Sequence, residues 1–175
     1  MMTLEGKKLA ILAESGYEDL ELWYPYLRLQ EEGAEITIIG SGTAESYKGK
    51  RGYPVNVDKN IDQVKTSDFD GLIIPGGWAP DQFRRFPKIV AFTKEIFESG
   101  KTVGAICHAG SLLISANVLK GKTATCFFAI KDDMINAGIK YVDEPVVIDN
   151  NLVTSRTPKD LPDFCKGLIE TLSKQ

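Results

Sequence analysis

The stretch GAICHAGS (104–111) decides the fold, because a strand end, a sharp turn and a helix start meet in it. The apolar run TVGAI (102–106) predicts a buried strand, and SLLISANVLKG (111–121) predicts a helix. Small residues around Cys107 permit the strained strand-to-helix turn on which α/β enzymes expose a nucleophile. At a helix start, the dipole and free N–H groups favour a thiolate. The alternative is a buried, unreactive thiol, and the turn pattern favours the nucleophile.

His108, the only histidine of the chain, directly follows Cys107. Neighbouring residues usually point in different directions, so adjacency alone does not predict a nucleophile and its base. Adjacency therefore leaves the role of His108 open.

Strand and helix patterns alternate on both sides of this turn. Strands are predicted at 7–13, 34–40, 52–61 (more exposed), 69–77, 102–106 and 122–128, with a hairpin over 144–155 that turns at Asn150 and Asn151. Helices are predicted at 19–33, about 81–99, 111–121, 130–138 and after Thr157, which would cap the last of them. This order predicts an α/β three-layer sandwich with a mostly parallel central sheet.

Composition fits one globular domain over residues 1–175, with 43% hydrophobic and 26% charged residues. A net charge of -3 argues against a nucleic-acid partner, and no apolar run approaches the ~20 residues of a membrane span. The N-terminus lacks the apolar segment of a secretory signal. We therefore expect a cytoplasmic protein without a nucleic-acid or membrane partner.

Neither a metal site nor a cofactor is expected. Three widely spaced cysteines, Cys107, Cys126 and Cys165, do not form a disulfide framework, and one histidine cannot build a usual zinc site. The stretch GSGTAE (40–45) follows a strand but lacks the third glycine of a dinucleotide fingerprint.

Polar groups and glycines follow the predicted strands at the sheet edge where α/β proteins bind ligands. Glu18 and Asp19 follow the first strand; either could reach the thiol, or both could be acids at a helix start, favoured there by the dipole. Gly76 and Gly77 end a later strand and could offer N–H groups to an oxyanion, or could only form a tight turn.

Several motifs in order resemble the PfpI-type intracellular protease family over about residues 8–172. They are AESGYEDLELWYPYLRLQEEGAEI (13–36), FDGLIIPGGWAPD (69–81), GKTVGAICHAGSLLISANVLKGK (100–122), IKDDMINAGI (130–139) and VVIDNNLVTSRTPKDL (146–161). That family has a flavodoxin-like, glutamine-amidotransferase-like fold, shared with protein deglycases and glutathione-independent glyoxalases. The resemblance implies the same fold here.

The resemblance also implies roles for individual residues. Cys107 matches the nucleophile and His108 the histidine beside it, and Glu18 matches the acid that contacts the thiol. Gly77 and the residue after Cys107 match the oxyanion-hole N–H donors. Asp81 matches an acid that a neighbouring subunit places against the histidine.

The implied assembly is a homo-oligomer with shared active sites, a dimer that in the family often forms hexamers. Two departures accompany the match. Asp81 stands where the family usually has glutamate, one methylene longer, and CHAG (107–110) replaces the frequent CHGP.

Three functions are compatible with these residues. The first is a cysteine enzyme acting on small carbonyl compounds or their protein adducts, and the second is peptide hydrolysis with His108 as base. The third is a non-enzymatic redox-sensing or chaperone-like role of Cys107. Glutamine amidotransfer is not expected, because that chemistry needs a histidine downstream of the nucleophile and none follows His108.

Overall fold

A seven-stranded sheet forms the middle layer of the computed structural model, which describes residues 3–175. The strands of the large sheet and of two small, two-stranded sheets are, in chain order, β1 (Lys8–Ala13), β2 (Glu35–Gly40), β3 (Ser46–Lys48), β4 (Pro54–Asn56), β5 (Lys59–Asn60), β6 (Gly71–Ile74), β7 (Thr102–Ile106), β8 (Thr123–Ala124), β9 (Lys140–Tyr141), β10 (Val146–Asp149) and β11 (Leu152–Ser155). The large sheet has the order β10-β11-β7-β6-β1-β2-β5, and β10 is its antiparallel edge strand. The predicted mostly parallel sheet is confirmed.

Helices cover both faces of this sheet. They are α1 (Asp19–Glu31), α2 (Ala79–Phe83), α3 (Pro87–Glu98), α4 (Gly110–Ser115), α5 (Lys131–Asn136) and α6 (Leu161–Ser173). One layer contains α1 packed on α6, and the other contains α3 packed on α4 and on β6 and β7. Within residues 3–175, none of the helices has both the length and the apolarity that a membrane span requires. The predicted three-layer sandwich is confirmed.

The central strands are buried on both faces, which is why they appear in the sequence as continuous apolar runs. In β6 and β7 every residue is buried, as are five of the six residues of β1. Because β1, β6 and β7 run parallel, their carboxyl ends reach the same sheet edge. The loops that follow these three strands therefore meet there.

Several predicted segments have different boundaries in the structure, and the strand predicted over 122–128 is only β8. The helix predicted over 81–99 is two helices, because Pro87 begins α3 and its ring cannot continue α2. The helix predicted over 111–121 ends at Ser115, and Asn117 then takes a φ of 56°. The strand predicted over 52–61 is divided between β4 and β5.

Helix α1 presents an apolar side to solvent as well as to the core. Leu20 and Leu27 are 57% and 56% exposed. The face against the sheet instead carries Leu22 and Leu29, both fully buried. The helix predicted over 19–33 is confirmed as α1.

Candidate active site

Cys107 occupies a strained turn between β7 and α4. Its φ is 61°, a left-handed conformation in which a side chain with a Cβ costs roughly 1–2 kcal/mol. Ile106 before it is still extended, and one turn of 3₁₀ helix, Cys107–Ala109, leads into α4. The cysteine is 9% exposed, so one edge of a largely buried side chain reaches solvent. This geometry is that of a nucleophile elbow.

Opposing influences act on the Cys107 thiol. Burial and, as a smaller cause, the Glu21 carboxylate raise its pKa to about 12. The backbone N–H groups of His108 and Gly77 face the sulfur and lower the pKa. These are the two donors that the family resemblance implied for an oxyanion hole, and they lie at the thiol.

Glu21 is the carboxyl group beside this thiol. It is fully buried, and its Oε2 accepts the Gly76 N–H at 2.8 Å. Burial raises the pKa of Glu21 to about 8, so that the carboxyl holds its proton at neutral pH. Since the two groups interact, protons leave the Glu21 and Cys107 pair in steps that belong to both residues.

The fit between Glu21 and Cys107 depends on Gly76. A Cβ added at Gly76 would lie 2.5 Å from Glu21 Oε2 and 2.8 Å from Cys107 Cβ. Glycine is therefore required where the two side chains approach, and any larger residue would push them apart. Gly76 also supplies the N–H that holds the carboxyl.

Glu18 lies elsewhere, which corrects the prediction that it contacts the thiol. Its Oε2 is 3.4 Å from Lys50 Nζ, and no hydrogen bond joins it to Cys107 within residues 3–175. Glu18 is the extended residue before α1, whereas Glu21 is inside the first turn. A helical side chain leans back over the preceding turn, so Glu21 reaches the carboxyl ends of the strands.

Asp19, the other acid considered from the sequence, holds a loop. Its carboxylate accepts the backbone N–H groups of Arg51 at 2.8 Å and Tyr53 at 3.0 Å. A Cβ at Gly49 would lie 2.5 Å from this carboxylate, so the loop closes tightly around it. Asp19 thus fixes the segment that carries Lys50.

A signal in the sequence could have found Glu21. The buried positions of α1 are three apolar residues, Leu22, Pro25 and Leu29, and two acids, Asp19, which is bonded to the backbone of the Lys50 loop, and Glu21. A carboxyl group on the core side of an amphipathic helix is costly to bury and is a candidate for function. The assignment drawn from the resemblance gave this role to Glu18, three residues before the acid that lies at the thiol.

The backbone at Gly77 is hydrogen-bonded to the loop after β1. Tyr17 and Gly77 form an isolated antiparallel bridge, and the Trp78 N–H donates to Gly16 O at 2.8 Å. Gly77 has a φ of +74°, and a Cβ there would overlap the backbone nitrogen of Glu18. This position therefore needs glycine both for its conformation and for its packing.

His108 lies close to the thiol despite being its neighbour in sequence. Its Nδ1 is 3.3 Å from Cys107 Sγ, within hydrogen-bond distance. The left-handed turn at Cys107 brings the two side chains to the same side. Burial lowers the pKa of His108, and the Asp81 charge partly offsets this. An uncharged imidazole at neutral pH can accept the thiol proton.

Asp81 and His108 of one chain line the same cavity of about 500 Å³. Within residues 3–175 no ion pair or hydrogen bond joins them, although the Asp81 charge raises the pKa of His108. The contact predicted from a neighbouring subunit stays a prediction.

The three cysteines are free and buried. Burial raises the pKa of Cys126 and of Cys165 to about 12. Across residues 3–175, no three histidine, cysteine or acidic side chains are grouped to hold a metal ion. Cys107 therefore differs from the other thiols by its strained backbone and its facing N–H groups.

Comparison with known proteins gives consistent matches. A sequence profile described as the DJ-1/PfpI family matches residues 7–171. The chain is 44% identical over 165 residues to Deglycase PfpI of Pyrococcus furiosus, covering 94% of this chain and 99% of that one. It is 42% identical over 167 residues to Putative cysteine protease YraA of Bacillus subtilis, covering 95% and 99%.

A solved structure matches equally well. It is a two-domain protein from Anabaena variabilis with dj-1/thij/pfpi-like and ferritin-like domains, with a TM-score of 0.92 and 46% identity. The match covers 95% of this chain and 48% of that chain, so it spans about half of the two-domain protein.

Proposed function

The chain belongs to the DJ-1/PfpI family, and we propose that it acts on reactive carbonyl compounds, or on their adducts with proteins, through Cys107. The observation that carries this proposal is the buried Glu21 carboxyl, uncharged at neutral pH, beside a thiol that faces two backbone N–H groups. The name deglycase, carried by relatives of similar sequence, agrees with it. A non-enzymatic redox or chaperone role is not favoured by those names.

The chemistry starts at the thiol of Cys107. His108 accepts the thiol proton, and the sulfur adds to the aldehyde carbon of an α-oxoaldehyde, so that the C=O π electrons move to oxygen. The N–H groups of Gly77 and His108 stabilise this oxyanion. Because the hole is already built, its donors need little rearrangement when the charge forms.

Glu21 is the proposed proton carrier for the next step. Glu21 takes the proton from the attacked carbon, which gives an enediolate, and returns it to the adjacent carbon, while the thiol proton held by His108 goes to the oxygen of that adjacent carbon. The adjacent carbonyl is thereby reduced to an alcohol and the attacked carbon is oxidised to a thioester. Water then releases a 2-hydroxy acid and the free thiol, so no external oxidant is needed. A carboxyl group with a pKa of about 8 can both give and take a proton near neutral pH.

Peptide hydrolysis is the second candidate. One observation favours it: His108 Nδ1, 3.3 Å from the Cys107 sulfur, is placed to remove the thiol proton and return it to an amine. The relative named as a putative cysteine protease agrees with this possibility. Glu21 has no clear role in that reaction.

One assay with two substrates tests the proposal. Methylglyoxal conversion to lactate and cleavage of a fluorogenic peptide are measured for wild type, Cys107→Ser, Glu21→Gln and Glu18→Gln. We expect methylglyoxal turnover in wild type, none above background in Cys107→Ser, and a loss of about 10²-fold or more in Glu21→Gln. Glu18→Gln is the matched control and should retain turnover within a few fold.

Two results would contradict the proposal. If Cys107→Ser converts methylglyoxal as fast as wild type, the thiol is not the nucleophile. If Glu21→Gln is as active as Glu18→Gln, the buried acid does not carry the proton. Peptide cleavage that is lost in Cys107→Ser, with no carbonyl turnover in wild type, would support the second candidate instead.

The oligomer implied by the family is also a proposal. An open apolar groove of about 900 Å³ lies along α1 and is lined by Leu20, Trp23, Leu27 and Tyr53. Exposed leucines on one side of a helix are typical of a subunit interface. We expect a homodimer by light scattering, and Leu27→Glu should shift it to monomer without unfolding it. A monomeric wild type would contradict this.

A further inference from the structure

A row of aromatic rings leads from the candidate nucleophile to solvent. Phe127 packs on the His108 ring with centroids 4.9 Å apart, and Phe128 packs on Phe127 at 4.7 Å. His108 in turn lies against the Cys107 sulfur. Phe128 is 74% exposed, the largest exposed fraction among the large apolar side chains. The outer ring therefore presents a free surface at the solvent end of a row of contacts that begins at the Cys107 sulfur.

The backbone holds this row in place. The Phe127 N–H donates to Cys107 O at 3.2 Å, so the segment is bonded directly to the elbow. A single 3₁₀ turn, Phe128–Ile130, follows and leads into α5, with the Ile130 N–H donating to Phe127 O at 3.1 Å. Two fixed rings beside a nucleophile form a surface that needs little ordering when a ligand binds.

The Gly77 side of the thiol has a different character. Trp78 follows Gly77, is 62% exposed, and carries Lys50 Nζ at 5.4 Å from its ring centroid. Lys50 also pairs with Glu18. This side presents a charged pair beside an indole ring, whereas the other side presents the Phe127 and Phe128 rings. A substrate with one polar and one apolar end has a single favourable orientation between them.

We propose that Phe127 and Phe128 determine specificity by binding a flat apolar group, such as an aryl ring, that the electrophile carries near the carbon that Cys107 attacks. The proposal rests on the proposed function for its natural substrate class, but the surface itself can be tested with any thiol reagent. Offset or edge-on contact with the Phe128 ring would favour an aryl over a methyl substituent. The small dicarbonyl used above lacks such a group.

The test uses two reagents that differ only in this substituent. Rates of Cys107 alkylation by N-phenylmaleimide and N-methylmaleimide are measured with peptide mass spectrometry, and their ratio is divided by the same ratio for glutathione. We expect this normalised ratio to exceed one in wild type and to fall roughly threefold to tenfold in Phe128→Ala. Phe128→Leu should fall between them. Ile148→Ala, an exposed apolar residue on β10, is the control and should leave it unchanged.

A second measurement separates this inference from the proposed function. The kcat/KM ratio of phenylglyoxal to methylglyoxal should fall in Phe128→Ala by a similar factor. If neither dicarbonyl is turned over but the maleimide ratio still falls in Phe128→Ala, the proposed carbonyl reaction fails and the aryl-binding surface stands. An unchanged maleimide ratio in folded Phe128→Ala overturns the inference, whether or not that variant changes the oligomeric state.

Discussion

Two turns of this molecule use the same left-handed conformation for different purposes. Asn150, at the tip of the hairpin between β10 and β11, has a φ of 56°, and Cys107 at the elbow has a φ of 61°. Asparagine tolerates this conformation, and here it also hydrogen-bonds to Asp149. Cysteine does not favour it. The hairpin thus has a residue suited to its backbone, and the elbow keeps an unsuited one where a thiol is exposed at the sheet edge.

The surroundings of the two turns differ as well. The hairpin tip is exposed, whereas the elbow is enclosed by Gly76, Gly77 and Glu21. Strain at the elbow is maintained by this packing, which leaves the backbone no room to relax. Substitutions at the two turns and beside them test this contrast.

The largest effect is expected for Gly77→Ala compared with Gly121→Ala. The two glycines have φ values of +74° and +78°, but only Gly77 is enclosed; at Gly121 nothing lies within 4 Å of an added Cβ. Gly121→Ala should lower the free energy of unfolding by about 1 kcal/mol, and Gly77→Ala by roughly 3 kcal/mol or more. Urea denaturation measures both. Equal losses would mean that packing at the elbow adds nothing to the conformational cost.

Glu21→Gln should stabilise the protein increasingly as pH rises. The pKa of Glu21 is raised from 4.5 to about 8, so the folded protein keeps a proton that the unfolded chain releases. Wild-type stability therefore falls as pH rises through this window, while the amide does not titrate. The stability gain of Glu21→Gln should grow by on the order of 2 kcal/mol or more between about pH 5 and pH 8. A gain that does not change with pH would contradict the raised pKa.

Comparing the glycine variant with the alanine variant at position 107, and likewise at position 150, measures the backbone strain at each turn. We expect the free energy of unfolding of Cys107→Gly to be higher than that of Cys107→Ala by about 1 kcal/mol. The free energy of unfolding of Asn150→Gly should be higher than that of Asn150→Ala by a similar amount. Asn150→Gly should lie within about 0.5 kcal/mol of wild type, because asparagine already suits the turn. Thermal unfolding of the four variants checks this. If alanine and glycine are equivalent at position 107, the elbow is not strained.

The smallest effect is expected for Lys50→Met. The Lys50 charge lowers the pKa values of both Glu21 and His108, so its removal should move the pH profile of kcat/KM to higher pH by less than about one unit. Lys166→Met, which removes an exposed ion pair with Asp163 on α6, is the matched control and should leave the profile in place. A shift to lower pH would show that Lys50 does not act through these groups.

The sequence predicted most of the fold because its buried strands are unambiguous. Runs such as TVGAI are too short for a helix and too apolar for an exposed strand, and their alternation with helices allows few arrangements. The boundaries that were missed depend on single residues. Pro87 begins a new helix after a break, and Asn117 ends α4 early by adopting a left-handed conformation.

The site was predicted in part. Cys107 and Gly77 were identified because the strand-turn-helix pattern and the glycine pair are local signals. The acid was misplaced because Glu18 and Glu21 belong to the same motif and differ only in which way their side chains point. That direction is set by where α1 begins and by which of its faces meets the sheet. The closeness of His108 and Cys107 could likewise not be predicted without the φ of Cys107.

The bridge between Tyr17 and Gly77 has a consequence for timing. It joins the loop after β1 to the loop after β6, and the same β1 loop is bonded to Lys50, whose N–H donates to Tyr17 O at 2.8 Å. The loops after β1 and β6 and the segment that carries Lys50 are therefore joined to one another by backbone hydrogen bonds. Opening one of these loops alone would break the hydrogen bonds that join it to the other. Substrate capture should thus proceed without a slow closing step, and progress curves should begin at their full rate from the first turnover.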